Sequence, residues 1–510
     1  MLNHWWVTRP KRKLNSIPEV LSTFAELSLN QLWDGQRTSH LSLEEALESA
    51  GLKRQGERRD QGGGGARTYK AWLVSLGLIF TQESTKQIKL TLAGEAIMNG
   101  DSPVDVLKGQ VLKYQFPSAF SIGRNVNVSP RFKIHPFVFL LKLLMDDRIQ
   151  YLKTDEIANI IIVEAENETD TCFEYIVKRL LSYRNYGIQT LPADFYERYG
   201  VKPESTNLSD VANTMMNWLD YTQLTYRENG KMYVVQERKT EVQDIVTKHF
   251  PFIDRPENHE YFQRKYGIDP KHSKDTRNLI NTKTITSSML AEQQVMKAYI
   301  SLSLIKPIIS IDAEVVDFIV SSTGLKEPFV LEILQRKYPK GSVGSFMTKY
   351  YEMAFKGREE ATEFEKATVK LFEDVFKFKA EHVGLIGLTP DVLIESESSG
   401  YVGIIDNKAY SKYSISNDHR NRMIHNYISG LSSYYTGDRA LAFFTYIAGG
   451  FGTNIDSQIR DITDETGING SCINVHNIIE LVKRAGDNPY THEDLKKIFT
   501  VNRQILLSDF

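Results

Sequence analysis

Apolar and polar positions alternate along this chain in patterns that change register several times. In "SLEEALESAGL" (42–52), Leu43, Ala46 and Leu47 fall on one stripe at helical spacing. "RTYKAWLVSLGLIF" (67–80) predicts a second helix that closes at Gly77, with Trp72, Leu73 and Leu76 as its anchors. "TQESTKQIKLTLAGEAI" (81–97) predicts a two-stranded wing. Helix, basic loop, helix and hairpin is the order of a winged helix-turn-helix, in which the second helix enters the major groove. The competing reading is a small helical domain that touches no DNA. A looser second copy follows: paired helices in "HPFVFLLKLLMDD" and "KTDEIANIIIVEA", then a helix in "SDVANTMMNWLDYTQL" with Ser209 as N-cap. "TYRENGKMYVV" predicts a hairpin turning at Asn229-Gly230. Trp218, Met215 and Leu219 read as core. Residues 256–355 are helical by pattern and carry no chemical constellation, and 340–345 reads as a joint.

Beyond residue 356 the pattern becomes α/β. A charged helix, "GREEATEFEKATVKLFEDVF", precedes the apolar runs 392–394 and 402–405, which predict two strands around a polar turn ending in Gly400. A helix ("NRMIHNYISGLSSYY"), an apolar strand ("ALAFFTYIA") and further α/β segments complete a mixed α/β sandwich. The predicted hairpin carries chemistry. Asp391 follows Pro390 in the only Pro-Asp of the chain, and Asp406 stands two residues before Lys408. Strand side chains alternate faces, so Asp406 and Lys408 point the same way, with Asp391 within approach on the neighbouring strand. Two carboxylates suit Mg²⁺, an oxygen-seeking ion that usually keeps several waters, and the Asn407 carbonyl is a natural third ligand. Lys408 would orient or polarise the attacking water or contact a scissile phosphate, while offsetting repulsion between the carboxylates. Glu365, upstream, is placed to support the metal through water. Alone, a D-x-K triplet is usually a surface ion pair; with a Pro-Asp opening the preceding strand it forms the PD-(D/E)XK nuclease pattern.

Composition adds bounds. The chain has 510 residues, 41% hydrophobic and 25% charged, which fits several globular domains without a disordered tract. A net charge of −2 gives no general attraction to polyanions, so DNA binding would need local patches. Two exist: "RPKRK" (9–13) and the 53–70 run, in which Lys53, Arg54, Arg58, Arg59, Arg67 and Lys70 are candidate DNA contacts. The glycines at 62–65 read as a flexible turn, since no G-x-x-x-x-G-K-[ST] loop surrounds them, and no H-E-x-x-H suggests zinc. Cys172 and Cys472 are too few for a disulfide framework. Without a membrane-length apolar run or a leader, the expectation is a cytoplasmic protein.

From about Phe364 onward the chain resembles the cleavage domain of the FokI-like type IIS restriction endonucleases. The motifs "FEKATVKLFEDVFKFKAEHVG", "TPDVLI", "GIIDNKAYS", "AFFTYIAGGFGTN" and "THEDLKKIF" carry the resemblance. The N-terminal part resembles FokI-type and AlwI-type recognition regions more loosely, through its winged-helix patterns and "LKGQVLKYQFPSAF". The resemblance implies Asp391, Asp406 and Lys408 as the catalytic trio, with Asn407 departing from the threonine of FokI and its side chain pointing off the metal. It also implies double-stranded DNA as partner and transient homodimerisation through the helix near Asp418 and Arg422. The expected architecture is mainly α winged-helix recognition domains (1–115 and 116–255), a helical connector (256–345) and an α/β PD-(D/E)XK nuclease domain (346–510). Alternatives are a strand-specific nicking enzyme, the large subunit of a two-chain nuclease, or a winged-helix regulator whose C-terminal domain performs no chemistry.

Overall fold

The computed structural model describes residues 2–54, 62–118, 121, 128–199, 206–279, 286–384 and 387–510. The chain divides into two compact units. One comprises Met1–Ser301 and Val316–Lys337, the other Leu302–Val315 and Tyr338–Phe510.

The first unit opens with helices Ile17–Ser28, Arg37–Ser49 and Gly64–Ser75, followed by an antiparallel hairpin, Ile79–Thr81 with Ile88–Leu90. Leu43, Leu47, Trp72, Leu73 and Leu76 are fully buried where these helices meet, as the apolar stripes predicted. The hairpin is shorter than expected, because "LAGEAI" is a helix, Leu92–Met98. Thr91 caps it by accepting from the Gly94 N–H, and a side chain at Gly94 would collide with the Leu78 carbonyl. The glycine run is also not a flexible turn. Gly63 has φ +80°, Gly64 and Gly65 begin the helix, and a Cβ on Gly65 would lie 2.1 Å from Glu44 Oε1. Buried Glu44 accepts the Ala66 N–H, so the glycines let two helices approach across a capped helix start.

The same unit contains helix Pro136–Met145, the helical stretch Thr154–Glu164 with a π-type turn at Ile157–Ile161, and helix Asn207–Tyr221. Ser209 does not cap the last of these but lies inside it, since the helix begins at Asn207 and buries Leu208 in its first turn. The predicted hairpin, Thr225–Glu228 and Lys231–Val234, gains a third strand, Leu152–Lys153. Asn229 and Gly230 both have positive φ, as a tight two-residue turn between right-twisted strands requires. Helix Asp170–Tyr186 was not anticipated. Thr169 caps it, and it buries Phe173, Ile176, Val177, Leu180 and Tyr183. Among the described residues no helix is long and apolar enough to cross a membrane.

The second unit is built on a six-stranded mixed sheet. Its strands are β1 (Lys379–His382), β2 (Val392–Ser396), β3 (Tyr401–Lys408), β4 (Ala440–Ala448), β5 (Asn469–Asn474) and β6 (Arg503–Gln504). They lie in the spatial order β6-β5-β4-β3-β2-β1. β1, β2 and β3 are antiparallel neighbours, while β3 to β6 run parallel. Helices α1 (Gly344–Met353), α2 (Ala361–Asp374), α5 (Val475–Asp487) and α6 (His492–Phe499) contribute to one core, packing on Val392, Ile394, Ile405 and Ile447. Against Leu393, Ile404, Phe444 and Tyr446 lie the π-type turn Arg422–Ile428, into which the exposed helix α3 (Asn417–Asn421) passes directly, and α4 (Ile455–Thr466). The alternation of the strands thus feeds two separate cores. The helix expected to run through "SGLSSYY" ends at Ile428, beyond which only Leu431–Ser433 make a single tight turn. Leu302–Val315 belongs to this unit through Ile308, whose carbonyl accepts the Ser342 N–H at 2.6 Å.

Candidate active site

β2 and β3 are joined by the tight turn foreseen in the sequence, with Gly400 at φ +67°. Their pairing places Val392 opposite Ile405, so Asp391 and Asp406 flank that pair at one end of the hairpin. The Asn407 N–H donates to Asp391 Oδ2 at 2.6 Å and ties the two strand ends together. Lys408 Nζ donates to Asp406 Oδ2 at 2.6 Å. Asp406 is 2% exposed, and its second oxygen, Oδ1, is buried without a hydrogen-bond partner. Asn407 faces the other way. Its Nδ2 donates to Thr368 Oγ1 on α2, as expected of a side chain on the opposite face of the strand.

Burial, then the facing Asp406 carboxylate, pushes the Asp391 pKa well above the ordinary carboxylate value; Lys408 opposes the rise and Glu365 adds to it. Burial works against the Lys408 ammonium, but Asp406, Asp391 and Glu365 outweigh it and raise its pKa. Lys408 is therefore a firm cation and Asp391 a carboxylate that lacks sufficient positive charge nearby. Tyr413 and Tyr427 line the same region, their hydroxyl pKa values raised by burial first and by Asp406 next. Tyr446 stands in register with Asp406 on β4, and its buried hydroxyl has no partner. Among the described residues no cluster of three or more His, Cys, Asp or Glu side chains is placed to hold a metal ion. The donor set that does exist, two adjacent carboxylates with an orphaned oxygen, fits a hard divalent cation that retains most of its waters.

The basic run is arranged differently. Lys53 pairs with Glu48. Lys70 contacts Asp34 and Thr81 and lies over the Trp33 ring; burial chiefly lowers its pKa, and Asp34 partly restores it. Arg54 and Arg67 are exposed, and Arg67 donates to the Gly62 carbonyl. Arg58 and Arg59 lie outside the described residues. In the "RPKRK" stretch, Arg9 donates to Asn207 and Arg12 pairs with Asp210, so these two cations fasten the N-terminus to helix Asn207–Tyr221.

A family model for the FokI cleavage domain matches residues 324–506, and a second, for the AlwI restriction endonuclease, matches residues 74–319. The chain is a FokI-like type IIS restriction endonuclease. Its fold is FokI-like at a coarse level: a helical N-terminal part precedes a cleavage domain on a mixed sheet. No curated protein matches the enzyme. Among solved structures, FokI resembles it over 99% of this chain and 100% of that one, at 14% identity and a TM-score of 0.30. FokI bound to DNA gives 14% identity and 0.28 over the same shares. The BpuJ1 endonuclease binding domain, in complex with modified DNA, gives 13% and 0.35 over 52% of this chain and 97% of that one. These likenesses are weak, and the assignment rests on the two family matches.

Four residues beside this candidate site, His382, Tyr413, Tyr427 and Tyr446, carry no motif in the sequence. β1 had not been recognised as a strand, although "KAEH" alternates and precedes Pro390-Asp391 closely. That alternation was the one available pointer to His382.

Proposed function

We propose that Asp391, Asp406 and Lys408 form the phosphodiester-cleaving centre of this enzyme, with Mg²⁺ held by the two carboxylates and the Asn407 carbonyl. The carrying observation is the pair of carboxylates at adjoining strand ends, Asp391 half-buried and Asp406 fully buried, the latter fixed to Lys408 with its Oδ1 left without a partner. Restriction endonuclease families generally use this ion. Bound there, Mg²⁺ would supply an activated water and offset the charge that builds on the phosphate. Asp391 is positioned by the Asn407 amide, which leaves its other oxygen available. Lys408, held protonated, donates hydrogen bonds that orient the attacking water or grip the scissile phosphate.

In this reading the winged-helix groups in 1–115 and 116–255 bind a short asymmetric duplex site, residues 256–345 connect, and the domain from 346 cuts at a fixed distance, in the cytoplasm where the DNA is. The order of three helices and a hairpin in the first group supports this role. One centre cuts one strand, so a double-strand break calls for transient pairing of two cleavage domains. Asp418 and Arg422 on the helix after the site would exchange ion pairs across a two-fold axis. A nicking enzyme is the second reading, favoured by the closure of this pair within one helix, Arg422 Nη2 to Asp418 Oδ2 at 2.9 Å.

Digestion of a plasmid of known sequence with Mg²⁺, followed by run-off sequencing of both strands, tests the proposal. It reports site, offset and nick or break together, and wild-type-like cutting by Asp406→Ala overturns the assignment. Asp418→Arg and Arg422→Asp should each block double-strand cleavage alone and restore it when mixed. Cutting first order in enzyme and indifferent to both reversals selects the nicking enzyme instead.

A further inference from the structure

We infer that Glu365 and His382 form a further positioning pair of the cleavage site, in which His382 holds the Glu365 carboxylate at the rim of the cation pocket. The inference rests on the reading of the trio given above. Glu365 projects from α2 and His382 from the end of β1, and His382 Nε2 meets Glu365 Oε2 at 2.8 Å with both side chains largely buried. His382 pairs in register with Val392, the residue after Asp391. A side chain on Gly384 would find Asp391 Oδ1 at 3.4 Å and His382 Nε2 at 3.5 Å, so imidazole and carboxylate border the same small space. Glu365 acts electrostatically on both Asp391 and Lys408.

Glu365 nevertheless does not join Asp391 and Asp406 in a three-carboxylate metal cluster. A carboxylate at that remove works on the hydration shell of a cation rather than on the cation itself, and such work depends on orientation. A lone glutamate on a helix samples several rotamers. A hydrogen bond from a histidine on the neighbouring strand selects one. α2 is fixed besides by Asn407, whose side chain donates to Thr368 one turn beyond Glu365. The helix with Glu365, the strand with His382 and the strand with Asp406 are thus cross-tied around one pocket. The bland alternative is an ion pair that merely fastens α2 to an edge strand.

The two readings separate on cation dependence in the full-length enzyme. Single-turnover cleavage of cognate duplex is measured against Mg²⁺ concentration. Ca²⁺ binding is measured separately by calorimetry on the enzyme with uncleaved DNA, and melting is followed for every variant. Glu365→Ala and His382→Ala should raise the half-maximal Mg²⁺ concentration by roughly 10–100-fold and weaken Ca²⁺ binding similarly. The rate at saturating Mg²⁺ should stay within a few-fold of wild type. His382→Gln, which keeps a donor at the same reach, should recover most of the loss. Glu365→Gln, which keeps the hydrogen bond without the charge, should not. Unchanged Mg²⁺ and Ca²⁺ dependence in Glu365→Gln and His382→Ala overturns the inference, whatever happens to melting. Equal weakness of His382→Gln and His382→Ala overturns the role given to His382. Cutting by Asp406→Ala would instead strike down the trio, and the pair with it.

Discussion

The charged run at 389–410 and the charged run at 53–70 are built in opposite ways. In the first, Asp406 is buried between half-buried Asp391 and Lys408, and the three are tied together through Asn407 N–H and the lysine ammonium. In the second, Lys53 and Lys70 are spent on neighbours in their own unit, while Arg54 and Arg67 reach solvent. Charge taken out of water must be compensated locally, so a buried cluster that remains imperfectly compensated implies a missing partner. Charge left in water implies little by itself.

The sharpest test of this contrast removes one charge from the first run. Asp406→Ala should lower single-turnover cleavage by about a thousandfold or more, a loss of several kcal/mol in transition-state stabilisation. The same variant should still bind cognate duplex in a gel shift, and loss of binding in step with cleavage would break the division of labour.

A second test uses the uncompensated carboxylate. Because burial and Asp406 raise the folded pKa of Asp391, the protonated form favours the fold and the ionised form opposes it. Metal-free enzyme should therefore lose stability as pH rises from the ordinary carboxylate range through that raised value. Asp391→Asn should flatten this part of the profile and be more stable than wild type at neutral pH without metal. Ca²⁺ at a hundredfold over its Kd should stabilise wild type by about 2.7 kcal/mol and leave Asp391→Asn nearly unmoved. Thermal unfolding across pH, with and without Ca²⁺, reads both effects.

In the basic run, Arg67→Ala should cost about 1–3 kcal/mol of cognate binding if its guanidinium reads a guanine edge. Arg54→Ala should instead weaken all duplexes alike and reduce the salt slope by about 1. Lys53→Ala should change DNA affinity least, since its ammonium is already paired with Glu48. Competition binding at several salt concentrations distinguishes the three, and an equal loss in all of them would erase the contrast between the ammonium held by Glu48 and the two solvent-exposed guanidinium groups.

Legibility in the sequence follows the same division. Strands β2, β3 and β4 were readable because apolar runs bounded by turn residues leave few alternatives, and the trio came with them. β1 was missed because its residues alternate with charges at a sheet edge. His382 was invisible because its partner Glu365 stands on another element, and only the fold joins them. "LAGEAI" was misread because an apolar run of that length suits a strand as well as a helix until Thr91 is recognised as a cap. The glycine run looked flexible because sequence does not show that Glu44 and His40 press against it.

The segment Leu302–Val315 carries a practical consequence for anyone wishing to transplant the cutting module onto another DNA-binding scaffold. The chain enters that unit at Leu302, leaves it at Val316 and returns at Tyr338. A fusion beginning at Tyr338 would discard the stretch whose Ile308 carbonyl receives the Ser342 amide and whose Ile305 carbonyl receives Lys370 from α2. Since α2 also carries Glu365, a donor fragment trimmed at that natural-looking seam would arrive with its brace removed, and grafts should start upstream of Leu302.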